Sequence, residues 1–135
     1  MRPRTRIALA LLGLLPLAAD RLRSPEGRCS YDGARTSPAF RVRIDDRRFC
    51  GVRCAQAWLR ASGVTPRSVR VIADGREIDA RAAHFVHTFS TWGDGSPDEI
   101  RAFATLEEAQ RRVQAYGGTI LTGAERPFGE EHAAD

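Results

Sequence analysis

Three cysteines are the residues of this chain best suited to chemistry. Cys50 and Cys54 lie four apart in FCGVRCAQAWL, Phe49 to Leu59, where a helix begins, and Cys29 stands upstream in CSYDG, giving the spacing C-x20-C-x3-C. An odd number of cysteines cannot be fully paired within one chain, so at least one thiol has another use. Two cysteines on one turn of a helix are poorly placed for a disulfide, which needs Cβ atoms within about 4.5 Å. A metal ion with bonds of about 2.0–2.3 Å bridges them easily. The positive end of a helix would favour their thiolate forms. Asp32 follows Cys29 at the spacing a two-cysteine knuckle uses for its second sulfur, and Gly33 allows the bend. Cys29, Cys50 and Cys54 are therefore candidate ligands, with Asp32 an optional oxygen donor, and three soft donors favour Cu(I) or Zn(II). The alternative is a Cys29–Cys50 disulfide with Cys54 as a small buried apolar residue.

The other candidates are weaker. His84 and His87 stand three apart in HFVH; on a strand they face opposite sides, so only one can join a given site, and His84 is carried as a further candidate ligand. His132 sits beside two glutamates in the tail and reads as solvated. Trp58 either roofs the cysteine site or fills the core, and Trp92 reads as a packing residue. Asp94 and Asp98 lie in a loop whose spacing does not match a calcium-binding hand. No nucleophile-base-orienter trio and no glycine-rich phosphate loop is legible, so the chain reads as non-catalytic.

The elements that must position these residues follow from periodicity. Phe40, Val42 and Ile44 alternate with arginines as a strand, Asp45-Asp46 turns the chain, and Arg47 to Cys50 returns as the second arm of a hairpin. Val52 to Ser62 is a helix stopped by Gly63 and Pro66, with Ala55, Trp58, Leu59 and Ser62 toward the core. Val69 to Ala73 is a third strand, and Asp74-Gly75 turns it into Glu77 to Ala80. The pattern then repeats: strand-like Ala83 to Phe89, a loop, Glu99 to Ala104, and a helix opening at Thr105 with a capping box to Glu108. Leu106, Ala109, Val113 and Tyr116 form its apolar stripe, Gly117 ends it, and Thr119 to Leu121 is a last strand. The expected fold class is α+β: two small ββαβ-like units of mainly antiparallel sheet, one helix each.

At 135 residues the chain is expected to hold one domain. Residues 1–19 carry three arginines ahead of an apolar run, the layout of a secretory signal peptide, although Leu17 fits the small-residue cleavage rule badly. Cleavage would leave the protein periplasmic; an uncleaved segment would tether it to the membrane. Residues 20–28 read as a linker, 29–122 as the metal-binding domain and 123–135 as a flexible tail. The net charge of +4 is misleading, because three of the 21 basic residues lie in the first nineteen positions, leaving 18 against 17 acids. Scattered arginines in a nearly neutral domain exclude a nucleic-acid surface.

The cysteine spacing, as CSYDG, a hairpin and FCGVRCAQAWL, resembles a TRASH-type metal-binding motif. Continued through ADGREIDARAAHFVHTF and AYGGTIL, the chain resembles the NosL family, copper-binding accessory proteins of nitrous-oxide reductase maturation, over Cys29 to Thr122. That resemblance implies a periplasmic Cu(I) carrier, or metallochaperone, that hands its ion to a metal-acceptor protein, with a fold of two ββαβ units. Two departures stand out. Many relatives carry a methionine close behind the first cysteine, where this chain has Ala34, and its only methionine is Met1; the load then falls on three thiolates. Relatives are often lipoproteins, and Cys29 lies too far beyond Ala19 for that. Two competing functions are a zinc- or disulfide-stapled interaction domain and an enzyme resembling organomercurial lyase, which cleaves a carbon–mercury bond with two cysteines and an aspartate.

Overall fold

The computed structural model describes residues 27–88 and 100–129. The proposed signal, Trp92, Asp94, Asp98 and His132 lie outside them. The described chain runs β1 (Val42–Ile44), β2 (Arg47–Phe49), α1 (Val52–Ser62), β3 (Val69–Ala73), β4 (Arg76–Asp79), β5 (His84–His87), β6 (Ile100–Phe103), α2 (Leu106–Tyr116) and β7 (Thr119–Leu121), with short 3₁₀ turns at Ala80–Ala82 and Gly123–Glu125. The fold is α+β, with a four-stranded sheet ordered β2-β1-β3-β4 and a three-stranded sheet ordered β6-β5-β7, every pairing antiparallel. In each sheet the first strand of the unit is central, flanked by its hairpin partner and by the strand after the helix. The two ββαβ units expected from the periodicity are thus present, the first extended by β4.

The alternation of β1 places Val42 and Ile44 inward and fully buried, with Arg43 on the wet face in register with Arg48 and Arg70. Like charges directly opposite repel. Glu77 relieves this by ion pairs with both Arg43 and Arg70. Asp45, in the left-handed region at φ 52°, turns the first hairpin. Its Oδ1 accepts from Arg67 N–H and Ser68 N–H at 3.0 Å each, which holds the end of the α1–β3 connection against the turn.

One core joins the units. Phe49, Val52, Ala55 and Val71 from the first pack in a single cluster with Phe85, Ala83 and Ala102 from the second. On β5, Phe85 enters that cluster, whereas Val86 is buried on the opposite face, where α2 lies with Ala109 fully buried. Both faces of the small sheet are therefore covered.

Three expectations need correction. Ser62 is exposed rather than core-facing. On α2 only the middle of the stripe is covered: Leu106 and Tyr116, its first and last residues, are exposed, Tyr116 at 72%. The strands beneath are three or four residues long, too short to cover an eleven-residue helix end to end. Finally, residues 123–129 are not a loose tail. Pro127 is fully buried and Phe128 packs edge-on to Phe85. Arg126 Nη2 donates to the carbonyls of Ala80, Arg81 and Ala83 at 2.6, 3.0 and 3.0 Å.

Candidate metal centre

Cys29 is placed by backbone hydrogen bonds and by burial of its side chain at the edge of the core. Its N–H donates to Ala34 O at 2.8 Å, and Gly33 N–H donates to Cys29 O at 3.0 Å, closing a tight knuckle. Gly33 adopts φ 74°, a conformation that side-chain-bearing residues rarely take. Inside the knuckle Ala34 N–H donates to Asp32 Oδ1 at 2.9 Å, leaving Oδ2 to face the sulfurs. Ser30 N–H donates to Arg48 O at 2.8 Å, and this bond stitches the knuckle onto β2, two residues before Cys50. Twenty residues of separation are closed by that stitch.

Cys50 and Cys54 are not both helical. Cys50 lies ahead of Gly51, the extended N-cap of α1 with φ −177° and ψ −177°, and Cys54 is the third residue of the helix. The bend at Gly51 swings Cys50 back over the helix start, so the two Sγ atoms approach to 3.0 Å. Asp32 Oδ2 lies 3.4 Å from Cys54 Sγ and 3.8 Å from Cys50 Sγ. Ligand atoms of Cys29, Asp32, Cys50 and Cys54 all fall within 4.8 Å of one another. All three thiols are free of disulfides.

The geometry suits a thiophilic ion. A trigonal or tetrahedral ion with bonds of about 2.3 Å holds its sulfurs about 3.8–4.0 Å apart. The cluster meets that span once the Cys50–Cys54 pair opens by about 1 Å. The cluster is also lopsided: Cys29 is 4% exposed, Cys50 and Cys54 are half-buried and Asp32 is exposed. An ion held there would be reached from the side of Cys50, Cys54 and Asp32.

Electrostatics set the protonation of the metal-free cluster. The Ala34 N–H holds the Asp32 carboxyl below its ordinary range against the opposing effect of partial burial, and the thiols of Cys29, Cys54 and Cys50 add to the lowering. Burial pushes the Cys50 thiol up to about 11, with the sulfur of Cys29 and the charge of Asp32 contributing. Burial, then the neighbouring Cys50 and Asp32, raises Cys54 further. The positive end of a helix favours thiolates. In the metal-free cluster burial and the neighbouring acid oppose it, and an incoming cation must displace the protons.

His84 does not join the four. It lies on the α2 face of the small sheet, lining a hollow of about 570 Å³ with Arg81, Leu106, Ile120 and Arg126. Alternation puts His87 on the opposite face with Phe85, paired with Ile100, and it too stands outside the cluster. Trp58 belongs to the core, its ring 5.3 Å from that of Phe49 with Arg47 stacked over it. A second hollow, about 470 Å³, adjoins Cys54 and is lined by Tyr31, Arg53, Gln56, Ala57, Arg60 and Ile100. Tyr31 and Ile100 had no signal in the sequence, because only the tertiary fold brings them beside α1.

The sequence matches no model of a known protein family and no curated protein. The structure does have a counterpart. It superposes on the crystal structure of the copper chaperone NosL from Shewanella denitrificans with a TM-score of 0.55, over 69% of this chain and 84% of that one, at 20% sequence identity. The chain shares the NosL fold. At that identity the likeness concerns architecture, and it agrees with the two-unit arrangement anticipated from CSYDG, FCGVRCAQAWL and the glycine pair before β7. No helix among the described residues is long and apolar enough to cross a membrane.

Proposed function

We propose that this protein is an exported, non-catalytic carrier of a single Cu(I) ion, bound by Cys29, Cys50 and Cys54 with Asp32 as an exchangeable fourth donor, and that it surrenders the ion to an acceptor protein. The observation that carries this reading is the convergence of three free thiols and a carboxylate within 4.8 Å on a NosL-like fold. Soft thiolates select a soft ion. Delivery is favoured by the lopsided burial, since an acceptor thiolate or imidazole can enter beside Asp32 before a cysteine leaves, and the ion is never stripped bare. The arginine-rich apolar N-terminus supports export, and the resemblance in sequence supports nitrous-oxide reductase maturation as the destination.

Zinc is the second reading, because three thiolates and a carboxylate also make a closed four-coordinate site of the kind that staples small domains. Anaerobic titration with Cu(I) against a chelating competitor separates the two. A carrier binds about one equivalent and yields it to excess acceptor ligand, whereas a structural zinc site exchanges slowly and its removal unfolds the domain. Cys54→Ser should abolish competition for Cu(I) at chelator concentrations the parent protein withstands. Unchanged affinity in that variant removes Cys54 from the ligand set.

A further inference from the structure

The 3.0 Å approach of Cys50 Sγ to Cys54 Sγ falls between two chemical states. It is shorter than the roughly 3.8 Å that a shared metal imposes on two sulfurs and longer than the roughly 2.05 Å of a disulfide bond. Two thiols on one regular helical turn would not come so near. Here Cys50 lies outside the helix, and the extended Gly51 brings it back over Cys54. Both of these sulfurs are half-buried, so a small oxidant can reach them, while Cys29 is 4% exposed and held within the knuckle.

We propose that Cys50 and Cys54 form a reversible redox pair, and that their disulfide is an alternative state of the site that excludes the metal. The oxidant is a disulfide, either a small molecule or an oxidoreductase. One of the two sulfurs attacks it as thiolate, giving a mixed disulfide and releasing one thiol. The second then attacks the mixed disulfide and releases the other thiol. In sum, two cysteine thiols and one external disulfide become one internal disulfide and two external thiols, with two electrons passing outward. Oxidation leaves Cys29 and Asp32 as the remaining donors, too few soft ligands to retain Cu(I) against a chelator. That second consequence rests on the carrier reading; the crosslink itself does not.

The chain carries its own analytical handle. Arg28, Arg35, Arg48, Arg53 and Arg60 place each cysteine on a separate tryptic peptide: CSYDGAR for Cys29, FCGVR for Cys50 and CAQAWLR for Cys54. Metal-free protein is incubated with oxidised glutathione at about pH 8, blocked with N-ethylmaleimide, digested and mapped by mass spectrometry. The expected product is FCGVR linked to CAQAWLR with Cys29 alkylated, reversed by dithiothreitol and also formed in Cys29→Ser. Prior loading with Cu(I) should slow its appearance at least about tenfold, because coordinated sulfur is a poor nucleophile. A link between CSYDGAR and either other peptide, or glutathione adducts with no internal link, overturns the proposal. Failure of the reduced protein to bind Cu(I), with the Cys50–Cys54 link still formed, overturns the carrier reading alone.

Discussion

Gly118 offers a sharp test of how the second unit is held together. A Cβ added there would lie 2.6 Å from His87 O and 3.3 Å from Val86 Cγ1, at a backbone φ of +109°. The carbonyl cannot retreat, because His87 pairs with Thr119 in the β5–β7 ladder and with Ile100 in the β5–β6 ladder. Two costs follow for Gly118→Ala: about 1–3 kcal/mol for a side chain at this positive φ, and about 1–3 kcal/mol for the overpacking. The control is its neighbour. Gly117 has φ +77° and ψ −176°, a region essentially reserved for glycine, but nothing lies within 4 Å of an added Cβ, so Gly117→Ala incurs only the backbone cost of about 1–3 kcal/mol. Urea unfolding of metal-free protein, followed by circular dichroism, should therefore find Gly118→Ala less stable than Gly117→Ala by about 2 kcal/mol. That difference is large for a domain whose total stability is of the order of 5–15 kcal/mol. Equal losses in the two variants, or a neutral Gly118→Ala, would refute the close approach of the β7 lead-in to β5.

Three further outcomes are expected. Thr105→Ala removes the acceptor for Glu108 N–H at the start of α2 and should cost about 1 kcal/mol in thermal unfolding, largely restored by Thr105→Ser. Arg126→Met deprives the carbonyls of Ala80, Arg81 and Ala83 of their shared charged donor and should cost about 1.5–3 kcal/mol, with faster hydrogen exchange along the Ala80–Ala83 segment. Alkaline pH should weaken the metal-free protein. The Cys50 thiol rises from 9.0 to about 11 on folding, so the folded state holds this proton more tightly, and the associated stability is complete below pH 9 and lost as pH climbs through 11. Urea midpoints measured from pH 8 to pH 11 under reducing conditions should fall across that window, and less so in Cys50→Ser.

Much of this was legible in the residues. The boundaries of α1, the Asp74-Gly75 turn and the Thr105–Glu108 capping box follow from local chemistry that tertiary contacts did not override. The four members of the cluster were legible too, because cysteine count and spacing constrain what thiols can do. The way they meet was not. The stitch from Ser30 N–H to Arg48 O joins main-chain atoms, and main-chain atoms carry no residue-specific signal. Which side of β5 His84 would face was equally hidden: strand alternation fixes that His84 and His87 oppose each other, but the core side is decided by Phe85 packing against the first unit. The exposed ends of α2 depend on the length of strands contributed from elsewhere, and Arg112 stacked over Tyr116 at 4.0 Å suits that ring to the surface.

The starts of the two helices occupy matching places in matching units, and they are used in opposite ways. In α2 the N-cap is Thr105 and the third helical residue is Glu108, which together satisfy two amide donors; in α1 the same positions are Gly51 and Cys54, and no side chain caps the helix. The thiol-bearing half thus lacks the side-chain cap its counterpart keeps, at a cost of only about a few tenths of a kcal/mol because glycine is itself a tolerated N-cap. The two similar units thus differ at one joint: the second has its helix entrance fastened by side chains, and the first leaves that entrance open beside its sulfurs.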